Sequence, residues 1–256
     1  MRMAVVQLDV EPAQRTLTFQ RALAAIDAAA ERDPAPDIIL LPAFCDVPAT
    51  LTTDKTIREW LAGPTVEACG QRARQWGVHV AAGLAERGEK KPFVTGIVLD
   101  VDGDVRLIQR QCDFRDGLPA YFARGENRAT ADTDLGRIAM LVGDDLLDGE
   151  AWAAAVRAGA AIIFGVAWWA SGPAAAKLDA GSVRRRLAEL AGLHGLVCAA
   201  ADVVMAAGDT QWSFPGVSLI VDAGGRLVVS AEVGAAATLW GDVEIPPRSA
   251  AEENRR

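Results

Sequence analysis

Long apolar runs, a cysteine framework and excess basic charge are all missing from this sequence, and each absence excludes a class of protein. No apolar run approaches the roughly 20 residues of a transmembrane helix, so we expect no membrane span. The four cysteines are widely spaced and form no Cys-x-x-Cys pair, which predicts reduced thiols in a cytoplasmic protein rather than disulfides or a zinc site. The formal net charge of −8 makes nucleic acid and anionic lipid poor partners.

Phosphate-binding motifs are missing as well. The sequence has no G-x-x-x-x-G-K, and no G-x-G-x-x-G follows a predicted strand, so we expect no cofactor. The chain enters a strand directly after Met1, without the apolar stretch of a signal peptide, which supports the cytoplasmic expectation. Because no Pro/Gly/Ser-rich linker divides the chain, we predict one domain over residues 1–245 and a polar tail over 246–256.

The most informative stretch runs from Gly136 to Leu146. Ile138 to Val142 is a continuous apolar run, which is typical of a strand buried on both faces of a sheet. The run stops at Gly143, followed by Asp144 and Asp145. Active sites of layered α/β proteins lie where such strands end, so a catalytic side chain is expected here. The first residue at that place is a glycine, which has no side chain.

The remainder of the chain repeats one pattern twice: strand, helix, strand, helix, strand, hairpin. The hairpins carry turn signals at Asp102-Gly103 and Gly224-Gly225. Strand–helix–strand units place helices on a sheet face, and two such sheets packed together give a four-layer α-β-β-α sandwich. We therefore predict this α/β fold with two pseudo-repeated halves. The predicted strands are 3–8, 37–42, 78–84, 94–100, 105–110, 137–143, 161–166, 196–203, 217–222, 226–229 and 237–245.

Helical spacing of apolar residues predicts the helices between these strands. Glu11-Pro12 is expected to open the first helix, and Ile57, Trp60 and Leu61 to form a short one that Gly63-Pro64 ends. Further helices are expected over 66–76, 149–158 and 183–194. Residues 111–135 are read as a polar connection, which at this length should line a site or contact a neighbour.

Several stretches match the motifs of one family in the same order. They are Ala4-Val-Val-Gln, Asp37-Ile-Ile-Leu-Leu-Pro-Ala-Phe, Val80-Ala-Ala-Gly-Leu-Ala-Glu, Gly136-Arg-Ile-Ala-Met-Leu-Val-Gly-Asp-Asp and Phe214-Pro-Gly-Val-Ser-Leu-Ile-Val-Asp-Ala-Gly-Gly. These stretches resemble the carbon–nitrogen hydrolase, or nitrilase, superfamily over nearly the whole chain. The resemblance implies the same four-layer sandwich and association into dimers or larger assemblies.

The superfamily cleaves nitriles or amides with a Cys nucleophile, a Glu that moves the proton and a Lys that stabilises developing charge. The resemblance puts the Glu, Lys and Cys positions of this chain at Ala43, Arg110 and Gly143. By the same resemblance, Glu86 corresponds to the accessory glutamate of the family, and the carboxylate of Asp145 is expected to hold the backbone in place. Because the loss of one member of a catalytic triad removes most of the rate of the catalysed reaction, we expect no hydrolysis of nitriles or amides.

Two routes to relocated chemistry stay open. Cys112 and Cys45 each lie two residues beyond a lost position, so either thiol could approach the old pocket. A water activated by Glu86 or Asp144 is the second route. Either route would make the chain a divergent amidase-type hydrolase.

The pocket could also bind without reacting. We expect Glu86 to pair with Arg110 in a dry pocket, where Arg110 could hold a small amide or carboxylate ligand. Trp168 is interpreted either as an aromatic wall for that ligand or as packing. We expect structural roles rather than a metal site for the carboxylates that could converge there, which are Glu86, Asp113, Asp144 and Asp145.

The sequence thus predicts a catalytically inactive superfamily member, a pseudoenzyme, that acts by binding. Its partner would be a second copy in a homodimer, another protein in a hetero-oligomer, or a small ligand. The alternative is the divergent carbon–nitrogen hydrolase.

Overall fold

The computed structural model describes residues 1–10, 14–46, 59–115, 121–169, 178–205 and 214–247. In this structure two β-sheets pack face to face, and a pair of helices covers the outer face of each sheet. The predicted four-layer α-β-β-α sandwich is confirmed.

The elements follow the predicted order closely. The first sheet holds β1 (Arg2–Asp9), β2 (Ile38–Leu40), β3 (His79–Glu86), β4 (Phe93–Leu99), β5 (Val105–Arg110), β10 (Val203–Met205), β11 (Phe214–Pro215) and β14 (Ala237–Asp242). The second holds β6 (Thr130–Thr133), β7 (Gly136–Val142), β8 (Ile162–Val166), β9 (Val197–Ala201), β12 (Leu219–Val221) and β13 (Leu227–Ser230). The helices are α1 (Arg15–Ala30), α2 (Pro64–Trp76), α3 (Gly149–Arg157) and α4 (Ala180–His194). None of these described helices is long and apolar enough to cross a membrane.

Parallel pairing brings several strand ends to the same side of the molecule. In the first sheet β1, β2 and β3 are parallel neighbours, and β3, β4 and β5 form an antiparallel meander. In the second sheet β7, β8 and β9 are parallel neighbours. Because β4 and β5 pack on β7, and β3 packs on β8, the ends of β2, β7 and β8 converge between the sheets.

Strand β7 is buried on both faces, as its continuous apolar run predicts. Ile138, Met140 and Val142 belong to the core that fills the space between the sheets. Ala139 and Leu141 face the other way and pack with α3 and α4. The strand therefore contributes side chains to two hydrophobic cores, one on each of its faces. A short 3₁₀ helix over Gly143–Leu147 follows it directly.

Side-chain caps and glycines set the ends of the helices. Asp148 accepts hydrogen bonds from the first backbone N–H groups of α3, and Asp179 does the same for α4. Gly77 ends α2 and Gly195 ends α4, both in the left-handed region at φ 63° and 65°. A Cβ at either glycine would meet no heavy atom within 4 Å.

The short helix predicted from Ile57, Trp60 and Leu61 is wrong where the structure describes it. Ile57 lies outside the described residues, but Glu59 forms an isolated β-bridge with Glu86, so the chain is not helical there. Pro64 begins α2 instead of ending a helix, because a proline at the first helical position loses no intrahelical hydrogen bond. The helix start predicted at Glu11-Pro12 also lies outside the described residues, and α1 is described from Arg15.

Two other expectations are corrected. The connection over 111–135 contains β6, which pairs with β7 at the edge of the second sheet. The strand predicted over 196–203 is two strands, because the chain leaves the second sheet after Ala201 and enters the first at Val203. Asp202 stabilises this crossing, since its buried carboxylate accepts hydrogen bonds from the backbone N–H groups of Trp169, Val203 and Val217.

Candidate functional site

Four strand ends meet in one set of contacts between the sheets. After β2, Ala43 donates its N–H to the carbonyl of Ala167 at 3.2 Å, and the ring of Phe44 meets Trp168 edge-on at 5.1 Å. The Trp168 indole N–H donates to Oε1 of Gln111 at 2.9 Å. The ends of β2, β5, β7 and β8 are therefore linked, because the Gln111 carboxamide lies directly against Gly143.

The side chain that faces Gly143 is that of Gln111, whereas the sequence predicts Arg110 at the lysine position. A Cβ built on Gly143 would lie 2.7 Å from Cδ and 2.8 Å from Nε2 of Gln111. The reason is strand alternation: Leu107, Gln109 and Gln111 point inward and are buried, so Arg110 points the other way. That same alternation is the sequence signal for Gln111, because it puts Gln111 on the strand face opposite to Arg110 and Cys112.

The Gln111 carboxamide is fixed at both ends. Its oxygen accepts the hydrogen bond from Trp168, and Nε2 donates to the carbonyl of Asp113 at 2.7 Å. Its backbone is held too, by hydrogen bonds with Val94 and Gly125. Gln111 has no solvent exposure, and both the oxygen and the nitrogen of its buried carboxamide have a hydrogen-bond partner.

Glu86 and Arg110 form the predicted pair. The Arg110 Nε donates to one carboxylate oxygen of Glu86 at 2.8 Å, and Nη2 donates to the other oxygen. Thr95 donates its hydroxyl to Glu86 at 2.7 Å, and the guanidinium lies 4.2 Å from the ring centroid of Phe93. The hydrogen bonds that Arg110 donates to Glu86 raise the pKa of Arg110 above its ordinary value.

The pair does not lie in a dry pocket, and that expectation is corrected. Glu86 is buried, but the Arg110 side chain is 42% exposed, because it projects from the face of β5 that points away from the core. Solvent reaches the guanidinium, which weakens the interaction relative to a fully buried pair.

Asp145 has the backbone-holding role that the sequence predicts. Its two carboxylate oxygens accept the N–H groups of Cys112 at 2.9 Å and Asp113 at 2.8 Å. Burial raises the pKa of Asp145 to about 7, against these two hydrogen bonds, which lower it. The turn after β7 is thus joined to the segment after β5, which is the segment that carries Gln111.

The other carboxylates near the site are paired with arginines. Asp144 accepts from the Arg115 Nε at 2.6 Å, and Asp113 accepts from Arg124 and Arg128. Among the described residues, no group of three His, Cys, Asp and Glu side chains has the arrangement of a metal site.

Neither thiol considered as a relocated nucleophile has the properties of one. Burial raises the pKa of Cys112 to about 11, and the thiol donates to the carbonyl of Arg110. Cys45 is fully buried, and burial raises its pKa well above the ordinary value. Because the thiolate is the attacking species, both cysteines are poor nucleophiles near neutral pH.

Trp168 packs as part of an aromatic cluster. Its ring contacts Phe44 and Phe122 edge-on, and Phe122 stacks on Phe114 at 5.9 Å. All four rings are buried. Of the two interpretations of Trp168, the contacts favour packing over a ligand wall.

The architecture defines a class: a four-layer sandwich whose candidate site lies at strand ends between the two sheets. The chain belongs to the carbon–nitrogen hydrolase family, whose model matches residues 2–246. It is similar in structure to an amidase from Nesterenkonia sp. AN1, with 19% identity, a TM-score of 0.81 and coverage of 100% of this chain and 98% of that one. It is also similar to a carbon–nitrogen hydrolase from Helicobacter pylori, with 17% identity, a TM-score of 0.83 and coverage of 95% and 89%. Comparison with curated protein sequences gives no significant match.

Proposed function

We propose that this protein is a carbon–nitrogen hydrolase family member that does not hydrolyse C–N bonds and acts by binding another protein. One observation carries the proposal: at the end of β7, where a nucleophile is required, the chain has Gly143 and the Gln111 carboxamide occupies the space of its missing side chain. By comparison, a structure of a mutant of the Nesterenkonia amidase has acrylamide added at its active-site cysteine, and the family resemblance puts the cysteine position of this chain at Gly143.

The chemistry supports loss of the reaction. Acyl transfer from an amide needs an attacking atom and a base to take its proton, and Gly143 and Ala43 offer neither. Gln111 is neutral, so it supplies no positive charge for the developing oxyanion. Cys112, with its pKa raised to about 11, is almost entirely protonated at neutral pH.

Binding of a small carboxylate through Arg110 is not favoured. Two of its three guanidinium nitrogens already donate to Glu86, so an incoming anion would have to compete with a charged partner at bonding distance. This pairing favours a protein partner over a small carboxylate ligand.

The outer face of α3 and α4 supports association with another protein. Leu193 is 76% exposed and Val156 is 37% exposed. The two helices lie side by side, because the ring centroids of Trp152 on α3 and His194 on α4 are 6.3 Å apart. The partner would be a second copy or another protein in a hetero-oligomer.

We also propose a cytoplasmic location, and the four free cysteines, three of them buried, agree with it.

Hydrolysis tests the first half of the proposal. We expect no ammonia release above background from acetamide, butyramide or their nitriles at high protein concentration, and no mass adduct after incubation with acrylamide, because no thiolate faces the site. An active amidase assayed alongside is the positive control. Ammonia release that scales with the protein and is lost in Cys112→Ser would instead establish the divergent hydrolase.

Sedimentation tests the second half. We expect the protein to sediment as a dimer or larger assembly, alone or with a co-purified partner from its source cells. Leu193→Arg should shift it toward the monomer, because a charge replaces an apolar contact at the α3–α4 face. Leu227→Arg, at a leucine that is 41% exposed on β13, is the matched control and should leave the assembly unchanged. A wild-type monomer that captures nothing would refute the proposed role.

A further inference from the structure

We propose that Gln111 is an internal ligand: its side-chain carboxamide fills a site built to hold a primary carboxamide, and so keeps that site closed to free small molecules. This internal ligand lies in the site of the proposed function, and to that extent the proposal rests on that function. What is new is the chemical class of group that the site recognises and the identity of the group that occupies it.

The partners of the carboxamide distinguish it from other groups of the same size. The site presents one donor, the Trp168 indole N–H, to the oxygen, and one acceptor, the Asp113 carbonyl, to the nitrogen. A carboxylate would set an oxygen against the Asp113 carbonyl, and a hydrocarbon would leave both polar groups unpaired. The arrangement therefore selects a neutral primary amide.

The surroundings complete the site. Trp168 is itself buried and held by the rings of Phe44 and Phe122, so its N–H has a fixed direction. On the opposite side Gly143 leaves the carboxamide room, since any Cβ there would overlap it. The fit depends on both features, a positioned donor and a glycine.

The part of the Gln111 side chain that fills the site corresponds to a small molecule, acetamide. Truncation to alanine removes Cγ and the carboxamide, which together have the size and the hydrogen-bonding groups of acetamide. The cavity left in Gln111→Ala would be lined by the indole N–H and the Asp113 carbonyl, both without a partner. A cavity of matched shape and polarity binds a matching small molecule, with an affinity for so few atoms on the order of millimolar.

The test is rescue of Gln111→Ala by acetamide. We expect the variant to melt several degrees below the wild type, and acetamide to restore part of that loss in a saturable way while leaving the wild type unchanged. Acetate, of the same shape but charged, should have no such effect. Leu107→Ala is the control, because it empties an inward position of the same strand without exposing that donor and acceptor, and acetamide should not rescue it.

A second measurement covers the case in which Gln111→Ala does not fold. In the wild type the Gln111 side-chain amide protons should exchange with solvent at least a hundredfold more slowly than those of an exposed glutamine, as followed by NMR. Exchange at the exposed rate would overturn the proposal, as would acetamide stabilising the wild type as much as the variant, or a folded variant that ignores acetamide. Hydrolysis of acetamide by the wild type would refute the proposed function instead, so the two failures are distinguishable.

Discussion

Gly143→Ala is expected to lower the free energy of unfolding by about 2–5 kcal/mol, from a left-handed backbone conformation and an overfilled site. Gly143 has φ 56°, which an L-residue adopts at a cost of roughly 1–2 kcal/mol. The new Cβ would also overlap the Gln111 carboxamide, which is buried and hydrogen bonded to Trp168 and Asp113. Urea unfolding of the variant and the wild type measures the difference.

Gly77→Ala is the matched control for this prediction. Its φ of 63° is close to that of Gly143, but a Cβ there meets nothing within 4 Å. It should therefore show only the backbone part, about 1–2 kcal/mol. If Gly143→Ala is no more destabilising than Gly77→Ala, the overlap with Gln111 has no energetic consequence.

A double-mutant cycle isolates the contact itself. Combining Gly143→Ala with Gln111→Ala should recover roughly 1–3 kcal/mol relative to the sum of the single changes, because the overlapping group is gone. By the same geometry, Gly143→Cys alone should not restore hydrolysis, since its side chain would displace the carboxamide and would find Ala43 where a base is needed. Gly143 and Gln111 are thus coupled through direct contact.

The sequence predicts the parts of this site that depend on strongly patterned strands. The continuous apolar run of β7 stops at Gly143-Asp144 and the hydrophobic strand before Ala43 stops at Pro42, so the strand ends could be located. The Glu86–Arg110 pair was expected from the sequence and the backbone role of Asp145 from the family resemblance, and the hydrogen bonds show both.

Gln111 could not be found by resemblance, because the stretch around it diverges from the family pattern and a shift of one residue reverses the face of a strand. The chain's crossing between sheets at Asp202 was missed for a different reason. Apolar residues continue on both sides of Asp202, so the sequence shows one strand where backbone hydrogen bonds to a buried carboxylate divide it into two.

Asp145→Asn is expected to lower the free energy of unfolding by about 2–4 kcal/mol. Both carboxylate oxygens accept backbone N–H groups, from Cys112 and Asp113. Near pH 5 Asp145 is protonated in the folded protein, because burial raises its pKa to about 7, but both of its oxygens still have lone pairs that accept hydrogen bonds. An asparagine of the same shape has one oxygen, so its NH₂ would face a buried N–H donor with no acceptor between them. Urea unfolding near pH 5 measures the loss, and Asp102→Asn at an exposed turn is the control, expected to stay within about 0.5 kcal/mol of the wild type.

The pH dependence of the free energy of unfolding tests whether the Asp145 carboxyl group titrates in the folded protein. Burial raises the pKa of Asp145 from 3.8 to about 7 in the folded protein. Between those values the folded state binds more protons than the unfolded chain, so the contribution of this group to stability is greatest below about pH 4 and falls as the pH rises through 7. The wild type should therefore lose stability across this range more steeply than Asp145→Asn. Equal slopes would show that Asp145 does not titrate there.

The same substitution should also loosen the candidate site. Asp145 holds the backbone of Asp113, and the Asp113 carbonyl accepts the Gln111 amide. Asp145→Asn should therefore speed solvent exchange of the Gln111 side-chain protons, whereas Asp102→Asn should not. Unchanged exchange in a destabilised Asp145→Asn protein would separate the two roles, leaving Asp145 as a fold-stabilising residue with no influence on how the site is kept closed.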